Sequence, residues 1–338
     1  MRKIGMYVHI PFCKQKCKYC DFVSFSNIDQ YTEQYINCVL KEIKEISELN
    51  RINYKCGTED LFQIDTIYIG GGTPSAISEV YIEKLVNQIK SDFELVESPE
   101  ITIEVNPGTV NQKKLQKYFE IGINRLSIGL QSTDNELLHM IGRIHKYSDF
   151  EETYNLVRKI GFNNINVDLM FGLPNQSISV LEESLKRIVN KSPEHISVYS
   201  LIVEENTKIF NLIESGNLEL PNEEVERKMY WKVKEILEKN EYVHYEISNF
   251  AKKGFKSRHN ENCWNQCEYI GVGVAAHSYF KGIRYSNIDD VKTYIKNYET
   301  SESIHNRIFH EVQDTKQKMN EFMLLRFKKN RWYFYKWI

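Results

Sequence analysis

The sequence lacks the features that mark nucleic-acid-binding, secreted and membrane-spanning proteins. Its 338 residues include 44 Lys and Arg against 46 Asp and Glu, so the net charge of −2 provides no basic excess for binding nucleic acid. No apolar run approaches the roughly 20 residues of a membrane-spanning helix, and the first motif leaves no room for a signal peptide. We therefore expect a cytoplasmic protein without a transmembrane segment.

The cysteines do not suggest a disulfide framework. There are seven, an odd number, and Cys13, Cys17 and Cys20 share one short segment with the spacing of metal ligands. Three thiolates can hold three irons of a [4Fe–4S] cluster and leave the fourth iron open to bind and reduce a ligand. Zinc is the alternative, but it usually takes four protein ligands. The nearest further candidates, His9 and Asp21, are poorly spaced for that role.

A strand-then-helix alternation runs through the first 240 residues. Six apolar runs, each followed by a helical pattern, predict an α/β fold with a partial (β/α)6 barrel, because a complete barrel has eight such units. Chemistry in such barrels takes place at the C-terminal ends of the strands. The predicted strands are 6–10, 65–69, 101–105, 125–129, 165–171 and 196–201, and the helices are about 30–49, 79–93, 112–120, 149–160, 180–189 and 222–239.

From residue 241 the pattern changes to a small α+β region. Strands are predicted over 242–249 and 269–275, on either side of a polar loop, and helices over 289–299 and 311–327. We predict three domains: the barrel over 1–240, an appended region over 241–310 that covers the barrel mouth, and the start of an incomplete C-terminal helical domain over 311–338.

The last nine residues are basic and aromatic without clear periodicity. A one-base shift in an A-rich tract near Lys329 would give a continuation that suits a folded domain better. A frameshift that truncates the C-terminal domain is therefore our hypothesis, and a naturally short chain with a packed aromatic tail is the alternative.

Glycines and polar side chains stand at the ends of the predicted strands. The run Gly70–Pro74 follows the second strand, and its glycines would let the backbone approach a ligand with free N–H groups, although such a turn can be purely structural. Glu104, Gln131, Arg143 and Asp168 lie at or after the third, fourth and fifth strands. Each alone is ordinary, since a strand-end Asp is often a cap. Together the four could bind the amine, carboxylate and ribose hydroxyls of an aminoacyl nucleoside.

Several motifs resemble the radical S-adenosylmethionine superfamily. They are Cys-x-x-x-Cys-x-x-Cys at 13–20, Gly-Gly-Gly-Thr-Pro at 70–74 and Glu-x-Asn-Pro at 104–107. Within that superfamily, Tyr-x-His-Ile-Pro-Phe-Cys at 7–13 and Gly-Leu-Pro at 172–174 are similar to the oxygen-independent coproporphyrinogen III oxidase-like family. The resemblance covers nearly the whole chain, from about residue 5 to about residue 327.

The resemblance implies a radical-SAM barrel and a set of cofactor contacts. Cys13, Cys17 and Cys20 would ligate the [4Fe–4S] cluster, whose open iron would chelate S-adenosylmethionine. One electron would then cleave the S–C5′ bond to give methionine and a 5′-deoxyadenosyl radical. The implied S-adenosylmethionine contacts are Tyr7, Tyr19, Gly71, Gly72, Thr73, Glu104, Gln131, Arg143 and Asp168, with Ile202 and His277 matching more loosely.

Two branches of the family differ two residues after the cysteine motif. The porphyrinogen-oxidising branch has a fourth cysteine there, whereas this chain has Phe22 and resembles the sister branch of heme chaperones. That resemblance implies transfer of heme to acceptor proteins, with an electron supplied by a flavodoxin- or ferredoxin-like donor. Oxygen-independent coproporphyrinogen III dehydrogenase is the second hypothesis. A binding protein with a structural cluster, which never cleaves S-adenosylmethionine, is the third.

The heme-chaperone branch also carries a His-Asn-x-x-Tyr-Trp motif. Here His259, Asn260 and Trp264 match it, and Cys263 replaces the tyrosine. Because His is a common axial heme ligand, the resemblance implies that His259 binds heme. The alternative is a polar loop in which His259 caps a helix or packs.

The remaining cysteines carry weaker expectations. Cys263 and Cys267 are four residues apart, like Cys13 and Cys17, but two thiolates alone do not make a metal site. Cys38 falls in a helical pattern and is predicted to be a small buried hydrophobe, and Cys56 is predicted to be incidental.

Overall fold

The computed structural model describes residues 1–55, 61–312 and 314–329, with side chains left out at 53–55 and 327–328. Cys56 and the segment 330–338, with the hypotheses made for them, lie outside the described residues.

Six parallel strands form the centre of a mixed sheet. They lie in chain order, each hydrogen-bonded to the next, and they confirm both the α/β class and the six predicted barrel strands. Parallel neighbours require crossover connections, which the helices provide. The strands are β1 (Arg2–Ile10), β2 (Phe62–Gly71), β3 (Leu95–Val105), β4 (Arg125–Gln131), β5 (Ile165–Phe171) and β6 (His195–Ser200).

Helices occupy the crossovers, where their apolar sides pack on the sheet. Several begin at a side chain that accepts a backbone N–H of the first turn, as Ser78, Asn111 and Asp134 do. The helices are α1 (Thr32–Lys55), α2 (Glu79–Asp92), α3 (Gln112–Glu120), α4 (Asn135–Met140), α5 (Tyr147–Ile160), α6 (Ile178–Lys191), α7 (Lys208–Glu214) and α8 (Glu223–Lys239).

The two faces of the strands differ in polarity. Ile67 and Ile69 of β2 are fully buried and join the apolar core with helix residues such as Leu85. Thr66 and Tyr68 alternate with them and make hydrogen bonds inside the barrel instead. Because side chains alternate along a strand, one face packs on the helices and the other forms a polar interior.

The region after residue 241 extends both edges of the sheet. At one edge, β8 (Asn249–Ala251) pairs antiparallel with β6. At the other edge, β9 (Tyr269–Val272) lies parallel to β1 and is followed by three further strands, which include the antiparallel pair β10 (His277–Phe280) and β11 (Ile283–Asn287). The elements are β7 (Val243–His244), β8 (Asn249–Ala251), α9 (Arg258–Trp264), β9 (Tyr269–Val272), β10 (His277–Phe280), β11 (Ile283–Asn287), α10 (Val291–Glu299), β12 (Arg307–Val312) and α11 (Thr315–Lys328).

The expectation that this region covers the barrel mouth is wrong for its polar loop. That loop forms α9, which packs against the N-terminal half of β2 and β3, at the base of the barrel. The Glu100 carboxylate accepts the backbone N–H groups of Arg258 (2.9 Å) and His259 (3.0 Å). A carboxylate at a helix N-terminus is electrostatically favourable, which explains why α9 docks there.

No helix within the described ranges combines the length and the apolarity that crossing a membrane requires.

Candidate functional site

A cavity of about 400 Å³ opens at the C-terminal ends of the parallel strands. Its wall combines the three motif cysteines with most of the strand-end residues that the sequence indicated. These lining residues are Cys13, Cys17, Tyr19, Cys20, Gly71, Gly72, Thr73, Glu104, Gln131, Arg143, Asp168 and the loosely matched Ile202. Tyr7 lies beside the cavity, with its ring stacked on that of the lining residue Tyr68 at 6.2 Å.

The cysteine segment is a loop whose base is closed by hydrogen bonds. The Cys13 N–H donates to the Phe25 carbonyl (2.9 Å), and the Phe25 N–H donates to the Pro11 carbonyl (2.8 Å). His9 Nε2 lies 2.8 Å from the Val23 carbonyl oxygen. These contacts hold the three thiols against the ends of the strands.

His9 anchors this loop and is not free to bind a metal. Its second ring nitrogen, Nδ1, lies 3.0 Å from the Tyr7 hydroxyl, so both nitrogens are engaged. Burial lowers the pKa of His9 to about 4, which keeps the ring neutral. The zinc alternative therefore loses one of its two candidate fourth ligands.

Each of the three thiols has a polar neighbour. The Thr73 hydroxyl donates to Cys13 Sγ (3.4 Å) and Arg143 Nη1 donates to Cys17 Sγ (3.5 Å), while Cys20 Sγ lies 3.9 Å from the Ser24 hydroxyl. Burial raises the pKa of Cys13 and of Cys20, and these hydroxyls partly offset that effect. Donors to sulfur stabilise thiolates, the form that binds iron.

The thiols fit a cluster better than a single ion. In the part of the chain that the structure describes, no three His, Cys, Asp or Glu side chains converge as ligands of one metal ion do. A cubane does not require such convergence, because each thiolate binds a different iron.

The glycine run is shaped by the cysteine loop. Gly71 has φ +110°, and a Cβ there would lie 2.6 Å from His9 Cε1; a Cβ on Gly72 would lie 3.0 Å from Cys13 Sγ. The expectation of free N–H groups is wrong, because Gly71 N donates to Glu104 (3.1 Å), Gly72 N to the Ile10 carbonyl (2.8 Å) and Thr73 N to the Phe12 carbonyl (2.8 Å). The run joins β2 to the cysteine loop and leaves room for a ligand only by its small size.

Two half-buried carboxyl groups line the cavity together with the cysteines. Glu104 accepts hydrogen bonds from the Tyr68 hydroxyl (2.8 Å) and from Gly71 N, and burial raises its pKa to about 7. Burial also raises the pKa of Asp168. Arg125, which is 2% exposed, lowers the pKa of both groups and so favours their charged forms.

Arg143 joins the two walls of the cavity. Besides Cys17, its guanidinium donates to Asn106 Oδ1 (2.7 Å) and to the Gly129 carbonyl (2.5 Å). Gln131, at the end of β4, has φ +75°, a conformation that a residue with a Cβ adopts only when the surroundings require it. This strained strand end lies in the wall of the cavity.

Three further polar residues belong to the site although the sequence assigned them no role. Asn106 accepts the hydrogen bond from Arg143, while Ser127 (3.0 Å) and Asn166 (2.7 Å) donate to the two Asp168 carboxylate oxygens. Alternation could have indicated Asn166, which lies two residues before Asp168 on the same face of β5. Finding Ser127 requires the register of β4 on β5, which the sequence does not reveal.

The structure does not bring His259 to this cavity. His259 is 7% exposed; its Nδ1 lies 2.8 Å from the Thr66 hydroxyl, and its ring lies 5.2 Å from that of Tyr68. Thr66, the partner of His259, lies five residues before β2 ends at Gly71, which is roughly 16 Å along the strand. Burial lowers the pKa of His259 to about 4, so the ring is neutral.

His277 also lies apart from the cavity. Its ring stacks on that of His310 at 5.5 Å, in a separate shallow depression that Tyr269 and Arg284 help to line.

Comparison with known proteins identifies the relatives of this chain. A model of the Radical SAM superfamily matches residues 7–188. The heme chaperone HemW of Bacillus subtilis is 40% identical over 324 residues, which cover 96% of this chain and 83% of that protein. The heme chaperone HemW of Escherichia coli is 35% identical over 275 residues, which cover 81% of this chain and 69% of that protein.

A solved structure supports the fold. Coproporphyrinogen III oxidase (HemN) from Escherichia coli, described as a radical SAM enzyme, matches 97% of this chain and 76% of its own with a TM-score of 0.82. The sequence identity is 21%, so the likeness concerns the fold alone.

Proposed function

Because the chain belongs to the Radical SAM superfamily and, within it, to the HemW family, we propose that it is a heme chaperone that binds a [4Fe–4S] cluster and S-adenosylmethionine and transfers heme to acceptor proteins. The observation that carries this proposal is the 40% identity to the Bacillus subtilis heme chaperone over 96% of the chain. The likeness to HemN extends to the fold and does not favour porphyrinogen oxidation.

The superfamily implies a [4Fe–4S] cluster and S-adenosylmethionine, and the cavity suits both. When bound, the cluster supplies one electron for cleavage of the sulfonium S–C bond. In our proposal Cys13, Cys17 and Cys20 hold the cluster, and Arg143 stabilises the Cys17 thiolate through the hydrogen bond at 3.5 Å. The cavity of about 400 Å³ leaves space for a ligand beside them.

The remaining lining residues would orient S-adenosylmethionine. Glu104 and Asp168 carry acceptor oxygens for its amine and ribose hydroxyls, and Gln131 offers both a donor and an acceptor. Gly71, Gly72 and Thr73 line the cavity, and the two glycines would allow close approach because they carry no side chain. Tyr19 would shield the cluster from solvent, and Tyr7 would support the site indirectly through its stacking on Tyr68.

Phe22 distinguishes this proposal from its alternative, coproporphyrinogen III dehydrogenase. The side chain lines the cavity and is 64% exposed, and Ile202 beside the same cavity is 69% exposed. A phenyl ring cannot replace the thiol that the porphyrinogen-oxidising branch carries at this position. We therefore favour heme handling over oxidation.

The partners of the chain follow from the proposed chemistry. Transfer of heme requires acceptor proteins, and reduction of the cluster requires an electron donor such as a flavodoxin or a ferredoxin. The described residues include six cysteines, all as free thiols. Free thiols and a [4Fe–4S] cluster are suited to a reducing compartment, so we propose that the chain acts in the cytoplasm.

Heme ligation by His259 requires α9 to move away from the base of the barrel, because the ring is held between Thr66 and Tyr68. We expect the reconstituted chain to bind heme stoichiometrically, as measured by the Soret absorbance during titration. We also expect His259→Ala to weaken heme binding at least tenfold without changing S-adenosylmethionine affinity.

The neighbouring variant Asn262→Ala is the matched control, since Asn262 also joins α9 to β2, through Asp65 Oδ2 at 2.9 Å. Equal loss of heme in both variants would make the His259 effect a consequence of α9 packing. A wild-type chain that binds no heme would overturn the proposed function. A chain that binds heme but never forms 5′-deoxyadenosine would favour a structural cluster.

A further inference from the structure

A chain of hydrogen bonds crosses the barrel interior from the start of α9 to Asp168. The Ser257 backbone N–H donates to the Tyr245 hydroxyl oxygen (3.3 Å), which lies 2.7 Å from His195 Nε2. His195 Nδ1 lies 2.6 Å from Asn166 Oδ1, and Asn166 Nδ2 donates to Asp168 Oδ1 (2.7 Å). Four links therefore join a residue outside the cavity to a carboxylate in its wall.

The direction of each link is fixed by its neighbours. Asn166 Nδ2 donates to Asp168 and to the Ser127 hydroxyl (2.7 Å), so Asn166 Oδ1 must be the acceptor on the other side. His195 then carries its proton on Nδ1, because burial lowers its pKa and keeps the ring neutral. Its Nε2 accepts the Tyr245 O–H, and the Tyr245 oxygen accepts from Ser257. Every donor in the chain points toward the Asp168 carboxylate.

The residues of this series of hydrogen bonds are buried, so water cannot replace a missing hydrogen bond. His195 and Ser257 are 0% exposed, Asn166 is 2% exposed and Tyr245 is 6% exposed. Asn166 Oδ1 also accepts a hydrogen bond from the Ser197 hydroxyl (3.1 Å). Removal of the Tyr245 hydroxyl would take away the donor to His195 Nε2, a buried acceptor, which costs more than the bond itself contributes. Aligned donors in a buried chain also polarise one another and strengthen the last bond, the one to Asp168.

Asp168 depends on such support because it is a half-buried carboxyl group in the wall of the ligand cavity. Its two oxygens are held by Asn166 and by Ser127, and Ser127 is itself a partner of Asn166. Loss of the orientation of Asn166 would therefore disturb both hydrogen bonds to the carboxylate. Arg125 adds positive charge nearby, which lowers the pKa of Asp168.

We propose that Tyr245 and His195 are positioning residues, which fix the Asn166 amide and thereby orient the Asp168 carboxylate for the donor groups of S-adenosylmethionine. This assignment rests on the proposed function, because it requires S-adenosylmethionine to occupy the cavity. Neither residue lines that cavity, so neither touches the ligand.

Tyr245→Phe removes one hydroxyl from the series of hydrogen bonds and keeps the aromatic ring. Tyr242→Phe is the matched control. Tyr242 is also buried, but its hydroxyl donates to the Pro193 carbonyl (2.6 Å) and takes no part in this series of hydrogen bonds. With the full chain and a reconstituted cluster, equilibrium dialysis should give about fivefold weaker S-adenosylmethionine binding for Tyr245→Phe. Tyr242→Phe should bind as the wild type does, and all three proteins should contain the same amount of iron.

A double-mutant cycle with Asp168→Asn separates positioning from general stability. If Tyr245 acts through Asp168, Tyr245→Phe should have no further effect on affinity in the Asp168→Asn background. Full additivity of the two effects would overturn the proposal, as would an unchanged affinity in Tyr245→Phe.

A second pair of variants covers the case in which Tyr245→Phe does not fold. His195→Asn keeps a donor close to the Nδ1 position, so it should bind S-adenosylmethionine better than His195→Leu; equal affinities would overturn the proposal. A wild-type chain that binds no S-adenosylmethionine would overturn the proposed function as well. Normal wild-type binding with unaffected variants would overturn the positioning roles alone.

Discussion

Cys17→Ser is expected to abolish the [4Fe–4S] cluster, the largest single effect that the account predicts. A serine hydroxyl is a far poorer ligand for iron than a thiolate, and two remaining cysteines hold only two of the four irons. The substitution also removes the sulfur to which Arg143 donates at 3.5 Å, which takes one hydrogen-bond acceptor from a half-buried guanidinium. After anaerobic reconstitution, the variant should lose the brown absorbance, nearly all iron and sulfide, and all formation of 5′-deoxyadenosine.

Cys38→Ser is the matched control for this experiment. Cys38 is likewise a free thiol, but it is buried on α1, and its thiol is directed to the Ile295 carbonyl at 4.0 Å. We expect this variant to reconstitute with the iron content of the wild type. Full iron content in Cys17→Ser, or equal loss in both variants, would contradict the ligand assignment.

Gly71→Ala should have the second largest effect, a loss of about 3 kcal/mol of unfolding free energy together with poor reconstitution of the cluster. The backbone at φ +110° disfavours any side chain, and the new Cβ would lie 2.6 Å from His9 Cε1. His9 holds the Val23 carbonyl, so its displacement would loosen the cysteine loop. Urea denaturation followed by circular dichroism measures the stability, and iron analysis measures the cluster.

Gly108→Ala separates the backbone effect from the clash. Gly108 also has a positive φ, +76°, but a Cβ there would meet nothing within 4 Å. It should therefore cost only the left-handed strain, about 1 kcal/mol, and leave the iron content unchanged. Similar losses in the two variants would show that the contact with His9 contributes nothing.

The sequence was sufficient to predict the barrel and most of the residues in the cavity wall. Largely apolar runs such as Ile165–Phe171, each followed by a helical pattern, identify parallel strands, because parallel neighbours need a crossover connection. Strand ends then locate the site, since all six parallel strands end at the same side of the sheet. In this way Glu104 and Asp168 could be assigned to one cavity without knowledge of any distance.

Features that depend on contacts distant in the sequence could not be predicted. The hydrogen bonds from the glycine run to the carbonyl groups of Ile10 and Phe12 form because β1 and β2 are neighbours in the sheet. The docking of α9 on Glu100 joins residues 158 or more positions apart. The chain from Tyr245 through His195 to Asn166 likewise depends on the registers of β5, β6 and β8. Periodicity predicts which face a residue occupies but not which partner it meets there.

The position of His259 shows the same limit. The motif of His259, Asn260 and Trp264 indicates a family, but spacing alone cannot distinguish a ligand from a packed side chain. In the structure the backbone N–H of His259 binds Glu100 and its ring binds Thr66, because α9 begins at Arg258 and directs its first turn toward β2 and β3.

The central claim is that this radical SAM protein handles heme and does not oxidise porphyrinogen. The most direct measurement incubates the reconstituted chain anaerobically with dithionite, S-adenosylmethionine, heme and coproporphyrinogen III, and then separates the mixture by gel filtration and chromatography of the porphyrins. The account predicts that heme elutes with the protein and that coproporphyrinogen III is recovered unchanged. Formation of protoporphyrinogen, or elution of heme apart from the protein, would contradict it.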